Sequence, residues 1–519
     1  MTIAQELTAL NATKTAIAAA IEGKGGDVTG APFSEYAAAI DLLSTGGGGS
    51  TGPALEWSEA YYQSVLNSIE PYQRPKDWLT LPDMIDGDSK LIGLYAVYPN
   101  GNYVALSAAG SYTVNWGDGT VENFASNSQA QHIYNYAAPA LDGTNAPVSL
   151  AMDGTVTRAN HGRVEGEKIK LYTIAGVTEL KEGQECYVRD VTLNSFKLSK
   201  TVGGVALTFA SAGTAALLPY KQAIIQLTPQ AGQTLTSLTL QKKHTALSSN
   251  TNAISINFLD LKLGGPSITS LMIGSNGGSS SVVSFFLLEQ VAIYRTALTS
   301  LSYLFYSLRA LKNVSYFNAA SVTSMSYMFS NCYALQTVPL FNTPAVTNMS
   351  YMFQNCYALQ TVPLFNTPAV TNMSYMFSGC YTLQSVPLFN TATVTDMNSM
   401  FSSCYTLQTV PLFNTAKVTD MSYMFYNCYS LQAVPLLNTA KVTDMSGMFY
   451  NCYALSSIKM INIKESFSIL NCSLDAAALN ELYTNLSTVT GKRITVTGNP
   501  GVTGDNPAIA TAKGWTVIG

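Results

Sequence analysis

Six cysteines, Cys332, Cys356, Cys380, Cys404, Cys428 and Cys452, recur every 24 residues. A periodic row of thiols has three chemistries open to it: metal ligation, disulfides between neighbouring copies, or burial as small apolar side chains. Zinc would need paired C-x-x-C ligands or histidines close by. The chain has no such pair, and His132, His161 and His244 all lie outside the repeat. Each cysteine shares its spacing with Met and Phe, so a buried thiol ladder is the first reading and inter-copy disulfides the second. Asp396, Asp420 and Asp444 form a second periodic row. They could bind calcium, but each follows a threonine just ahead of an apolar run, where a carboxylate caps backbone N–H groups; Lys417 and Lys441 offset their repulsion. The histidines are too scattered for a triad, and no nucleophile-elbow, metalloprotease or phosphate-loop motif is present. Glycan cleavage would need a carboxylate pair, and the repeat has few glutamates. The expectation is no catalytic residue, no metal and no cofactor.

What remains is surface chemistry. Tyr327, Tyr351, Tyr375 and Tyr423 fall off the apolar face and form an expected exposed column, interrupted by Ser399 and Gly447. Gln336, Gln360, Gln384, Gln408 and Gln432 form a second, polar column. Tyrosine offers flat amphipathic area at low entropy cost, which suits contact with sugar or protein. Both rows are candidate receptor contacts. Tyr333 and its copies sit at the edge of the apolar face and read as packing residues.

The elements that must carry these rows come from one repeat. Met325, Met328, Phe329 and Cys332 stand at i, i+3, i+4 and i+7, the face of a two-turn helix. Leu335 to Asn342 then reads L-x-x-V-x-L-x-N, a strand with Val338 and Leu340 inward and Asn342 capping the turn. Pro339 inside it removes a ladder donor, so the strands are short or irregular. A fixed short period means a solenoid. The V-T-x-M-S-x-M-F-x-x-C-x-x-L pattern at Val346–Leu359 and its copies resembles the BspA-like leucine-rich repeat surface proteins. That resemblance implies a leucine-rich-type α/β solenoid over residues 264–466 and a terminal cap over 467–519.

Upstream, residues 55–263 alternate as β-strands, among them Leu91–Tyr98, Ser111–Trp116, Gln222–Leu227 and Ser237–Leu240. The segment Trp116-Gly117-Asp118-Gly119-Thr120, with His132-Ile133-Tyr134 downstream, resembles the PKD-type β-sandwich and implies a spacer or adhesive module. Residues 44–54 are a Gly/Ser linker. Within residues 1–43, Ile3, Leu7, Leu10, Ile17 and Ile21 follow a coiled-coil seam broken only by Lys14: an expected oligomerisation or docking helix, or equally an amphipathic helix packed on its own chain against Phe33, Tyr36, Ile40 and Leu43.

The chain has 519 residues, of which 11% are charged, and a net charge of -4. An average soluble protein has about 25% charged residues. Without a basic tract there is no footprint for nucleic acid, and no apolar run is long enough to span a membrane. No secretion signal is evident at Met1–Glu6. The opening segment resembles N-terminal modules of phage tail and fibre proteins. The whole then implies a multidomain, non-enzymatic tail fibre or receptor-binding protein located in the virion. Its expected partners are itself, as a homotrimer, other tail or baseplate proteins, and a host surface glycan or protein. A bacterial cell-surface adhesin and a structural tail component are the alternatives.

Overall fold

The computed structural model describes residues 72–99, 102–240, 242–246, 257–274, 287–315 and 317–519. The expected N-terminal helix, its Ile/Leu seam and the Gly/Ser linker lie outside these residues. The described chain forms two compact units.

The first, residues 71–299 with 303–318, is built almost wholly of strands. Lys90–Val97, buried at seven of its eight positions, lies inside a seven-stranded sheet. It pairs antiparallel with Lys221–Pro229 on one side and Phe258–Gly264 on the other. Gln290–Ile293 and Asn313–Val314 extend the sheet in parallel. Tyr103–Ala109 anchors a second sheet of four strands. A third, seven-stranded sheet is inserted between residues 147 and 216, around its own core of Val156, Phe196, Leu198 and Val188. This insertion makes the unit a three-sheet structure.

The second unit, residues 319–519 with 300–302, contains the repeats. The expected α/β solenoid is not what forms: the described repeats carry no helix, and the two α-helices among the described residues, Ala476–Thr484 and Ala508–Thr511, both follow them. The reason lies in the backbone hydrogen bonds. A helix would send every N–H four residues back along its own chain. Here the N–H groups of Met325, Tyr327, Phe329 and Asn331 donate across to the carbonyls of Asn348, Ser350, Met352 and Gln354 in the next copy. The alternate N–H groups of Met328, Ser330 and Cys332 close turns three residues back. Half the donors thus run along the stack and half within the coil. The alternation demands a left-handed residue in each turn, and Tyr327 and Asn331 have φ of 58° and 64°. The same two positions are left-handed in the copies through Gly447 and Asn451. Asn and Gly are the usual occupants of such positions, and Asn355, Gly379, Asn427 and Asn451 supply them.

The apolar spacing still aims inward. In one coil Val346, Met349, Met352, Phe353, Cys356, Leu359 and Val362 are fully buried, and Phe365 nearly so. At roughly 1.5–3 kcal/mol per large buried side chain, this interior outweighs the roughly 1–2 kcal/mol cost of a non-glycine left-handed residue. The expected strand needs one further correction. Val338 is buried, but Leu340 is 39% exposed and Phe341 takes the interior place. Pro339 breaks the alternation by denying the ladder a donor. Longer strands form in the last two copies, Ala433–Asn438 and Ser457–Ile461, which pair in parallel with a register shift between Val434 and Leu437.

After the repeats, Phe467–Ser468, Lys492–Thr495 and Trp515–Ile518 make a parallel three-stranded sheet. Asp475 caps the helix Ala476–Thr484, its side chain accepting from Ala478 N–H at 2.8 Å.

Candidate functional site: stacked side-chain ladders on the repeat coils

Because each residue sits directly over its copy in the next coil, every side-chain type becomes a column. The thiols run through the interior. None of the eight cysteines forms a disulfide, and all are buried. Cys356, Cys380, Cys404 and Cys428 donate through Sγ to the carbonyls of Phe329, Phe353, Phe377 and Phe401 at 3.1–3.2 Å. Burial, with a smaller push from the neighbouring thiols, holds these four well above the ordinary thiol range. Burial also raises Cys472, to about 12. They are packing groups with a weak donor, neither ligands nor nucleophiles. Among the described residues no three His, Cys, Asp or Glu side chains gather as a metal site.

The acidic row is also occupied by structure. Asp396, Asp420 and Asp444 each accept the N–H two residues on, from Asn398, Ser422 and Ser446, at 2.8–2.9 Å. Asn348 and Asn372 do the same for Ser350 and Ser374. The capping chemistry is as expected, but it closes a side-chain turn and not a helix. Burial raises the Asp396 carboxyl, with the Asp420 charge adding to it.

The candidate contact rows lie on the outside. Tyr327, Tyr351 and Tyr375 stack with ring centroids 4.3 and 4.5 Å apart and planes within 6°. They are half-buried, not open. Ser399 ends this stack and is itself buried. Tyr423 is exposed, and its ring lies over Gly447: a Cβ there would meet Tyr423 Cε1 at 2.6 Å. Gln336, Gln384, Gln408 and Gln432 are exposed and Gln360 is half-buried. Their backbones link coil to coil, from Gln360 N–H to Gln336 O at 3.4 Å through Gln432 N–H to Gln408 O at 3.0 Å.

The unbroken row is one that the sequence reading assigned to packing. Tyr333, Tyr357, Tyr381, Tyr405, Tyr429 and Tyr453 stack continuously at 4.5, 4.5, 4.7, 4.9 and 5.5 Å. Tyr333, Tyr357, Tyr381 and Tyr405 are half-buried, as the Tyr327 row is, and Tyr429 and Tyr453 are 38% and 50% exposed. The available signal was its perfect recurrence, where the Tyr327 row breaks twice.

In the β unit, the Trp116–Thr120 segment turns between Tyr112–Asn115 and Val121–Phe124. His132 Nε2 meets Asp118 Oδ2 at 2.7 Å and its ring stacks on Trp116 at 5.1 Å. Tyr134 Oη donates to Trp116 O, and Trp116 Nε1 donates to Glu122 Oε2. Burial pushes the Asp118 carboxyl up, but hydrogen bonds from His132 and Thr120 leave it below the usual range.

No curated protein matches the chain. Among solved structures, the crystal structure of a TLR13-ssRNA13 complex matches at 13% identity with a TM-score of 0.17. The match covers 46% of this chain and spans 50% of that one. The family described as Mycoplasma protein of unknown function, DUF285, matches residues 293–385 and 358–462. Over those residues the coil array is therefore similar to the DUF285 repeat family, in agreement with the BspA-like pattern of its V-T-x-M-S-x-M-F motif.

Proposed function

We propose that this chain is a non-catalytic attachment protein that holds a cell-surface ligand against its repeat coils. The observation that carries the reading is the periodic outer surface: rows of tyrosine and glutamine recur from coil to coil, on coils joined by backbone hydrogen bonds over a buried apolar interior. Such a surface changes specificity without disturbing the core, and it lets a repeating ligand engage many copies at once. The repeat cysteines are engaged in packing, Asp396, Asp420 and Asp444 in turns, and Asp118 with His132.

Cell binding tests it. Labelled full-length chain is titrated onto a panel of bacterial strains, with unlabelled chain as competitor. Saturable, competed binding to a subset of strains is expected; no saturable binding to any strain sinks the reading. In its finer form the proposal places the chain in a phage tail, as a self-associating receptor-binding fibre. The sequence likeness of residues 10–36 to tail modules supports that placement. Immunogold microscopy of particles released from cells that carry the gene decides between this and a bacterial adhesin. Labelled tail tips support the fibre, and label confined to the cell envelope favours the adhesin.

A further inference from the structure

We infer that the continuous Tyr333–Tyr453 row is the contact row, and that its ligand is a linear, uncharged glycan laid along the stack. This rests on the attachment reading above and names the ligand class and residues for it. Three properties of the row select the ligand.

The first is the repeat distance. Six phenol groups succeed one another at 4.5–5.5 Å, close to the length of one pyranose unit in an extended chain. An extended peptide advances about 3.3 Å per residue and falls out of register after one or two coils. The second is charge. The neighbouring positions along the row are Asn331, Asn355, Asn427 and Asn451 on one side and the glutamine row on the other, all neutral. A nucleic acid needs cations at its phosphates, and an acidic polysaccharide likewise; the row supplies none. The third is the way the rings present themselves. Stacked face to face within 15°, they cover one another's faces and offer edges and hydroxyls. The row therefore presents a ladder of phenol groups to sugar hydroxyls, in which the Tyr357 hydroxyl bonds those of Tyr333 and Tyr381 and Tyr453 Oη donates to Asn451 Oδ1 at 2.9 Å, with the face of a ring left for stacking only at an end of the row.

The row is also built to stay in place. Thr382 and Thr406 donate through Oγ1 to the carbonyls of Tyr357 and Tyr381 at 2.9 Å, tying the backbone of each tyrosine to the next coil. A rigid row meets its ligand with little ordering cost.

The test uses full-length protein and neutral linear oligosaccharides of one to six units whose rings keep a vicinal diol (β-1,4-glucan, β-1,4-mannan and β-1,4-xylan), with heparin and an unstructured peptide as controls. At least one neutral series is expected to bind with affinity that climbs with each added unit and is indifferent to salt. The triple variant Tyr357→Phe, Tyr381→Phe, Tyr405→Phe keeps the stacked rings and removes three hydroxyls. It is expected to weaken the hexasaccharide about a hundredfold, the scale of avidity from linked contacts, with its melting temperature unchanged. Tyr351→Phe with Tyr375→Phe is expected to bind as wild type. The inference is overturned if no neutral series binds, if affinity does not depend on length, or if the triple variant binds normally. Periodate-treated cells separate the two proposals. If they still bind the chain saturably, attachment stands and the glycan assignment fails; if untreated cells do not bind either, the attachment reading has failed.

Discussion

Tyrosine is an unfavourable residue for a left-handed backbone, yet Tyr327, Tyr351, Tyr375 and Tyr423 all adopt one. Ring stacking at 4.3–4.5 Å returns about 0.5–1.5 kcal/mol per pair, near the cost of the conformation, so the buried interior decides the balance. Gly447 occupies the same backbone position without a ring, and Tyr423 fills the space above it. Gly447→Ala removes the freedom to adopt φ of 62° without cost and collides with that ring. A loss of about 1–2 kcal/mol is expected in urea unfolding, whereas Gly166→Ala, left-handed but with open space around it, should lose less. The thiols give a second residue-scale expectation. Their folded pKa values lie above the unfolded thiol value, so their stability contribution is complete below about pH 8.5 and is lost as pH rises. Each buried thiol then costs up to about 1.4 kcal/mol per pH unit. The midpoint of urea unfolding should fall steeply between pH 8.5 and 10, and eight thiols should react with a thiol reagent only after unfolding. Rapid reaction of two or more in the native protein contradicts the buried ladder.

The repeat's interior was legible in the sequence, but its elements were not. The spacing of Met325, Met328, Phe329 and Cys332 is that of one helix face, and a run of two tight turns buries the same four positions. Periodicity reports which side chains point inward and says nothing of where the N–H groups go. The distinguishing signal was present in Asn331, Gly379 and Asn427, residues that tolerate positive φ and have little place mid-helix. The Asp and Asn row was expected to cap helices; it closes side-chain turns instead, and only the acceptor role carries over, because a helix cap and a side-chain turn use the same acceptor. The contact rows were harder, since exposure depends on the turn geometry: both tyrosine rows turn out largely half-buried, and only the Tyr333 row runs unbroken. The turn itself is testable. Asp420 Oδ1 accepts from both Ser422 N–H and Ser422 Oγ, at 2.8 and 2.6 Å. Asp420→Ala is expected to cost about 1 kcal/mol, measured by urea unfolding. Asp420→Asn should be near neutral, since Asn348 and Asn372 make the same bond in their own coils. Equal loss in both variants would mean that the charge, and not the acceptor, matters.

At the scale of the whole coil array, stability is a sum of near-identical layers, each bonded to the layers on either side of it. The coil hydrogen bonds join residues 23 or 24 positions apart along the chain, so the array's register depends on the period and not on the number of coils. Removing residues 347–370 takes out one whole layer and joins Val346 to Thr371, the same Val-Thr junction found at Val370–Thr371. Met325 N–H, which donates to Asn348 O in the full chain, would then find Asn372 O in the same place. The shortened protein is expected to fold, to unfold cooperatively, and to show a urea dependence reduced in proportion to the surface that the missing coil buried. Removing residues 353–364 instead shifts every later coil by half a turn. It places Leu335 and Val338 over positions that carry turns, and strands the donors that run along the stack, each costing about 1–3 kcal/mol when buried unpaired. That variant should be insoluble or lack cooperative unfolding of the repeat unit. If both deletions fold equally well, the coils are not held by their registered bonds. If neither does, some layer carries a role that its copies cannot replace. The same arithmetic bears on the tyrosine row: with one coil fewer it keeps its spacing and loses one hydroxyl, so length-dependent binding should saturate one sugar unit earlier.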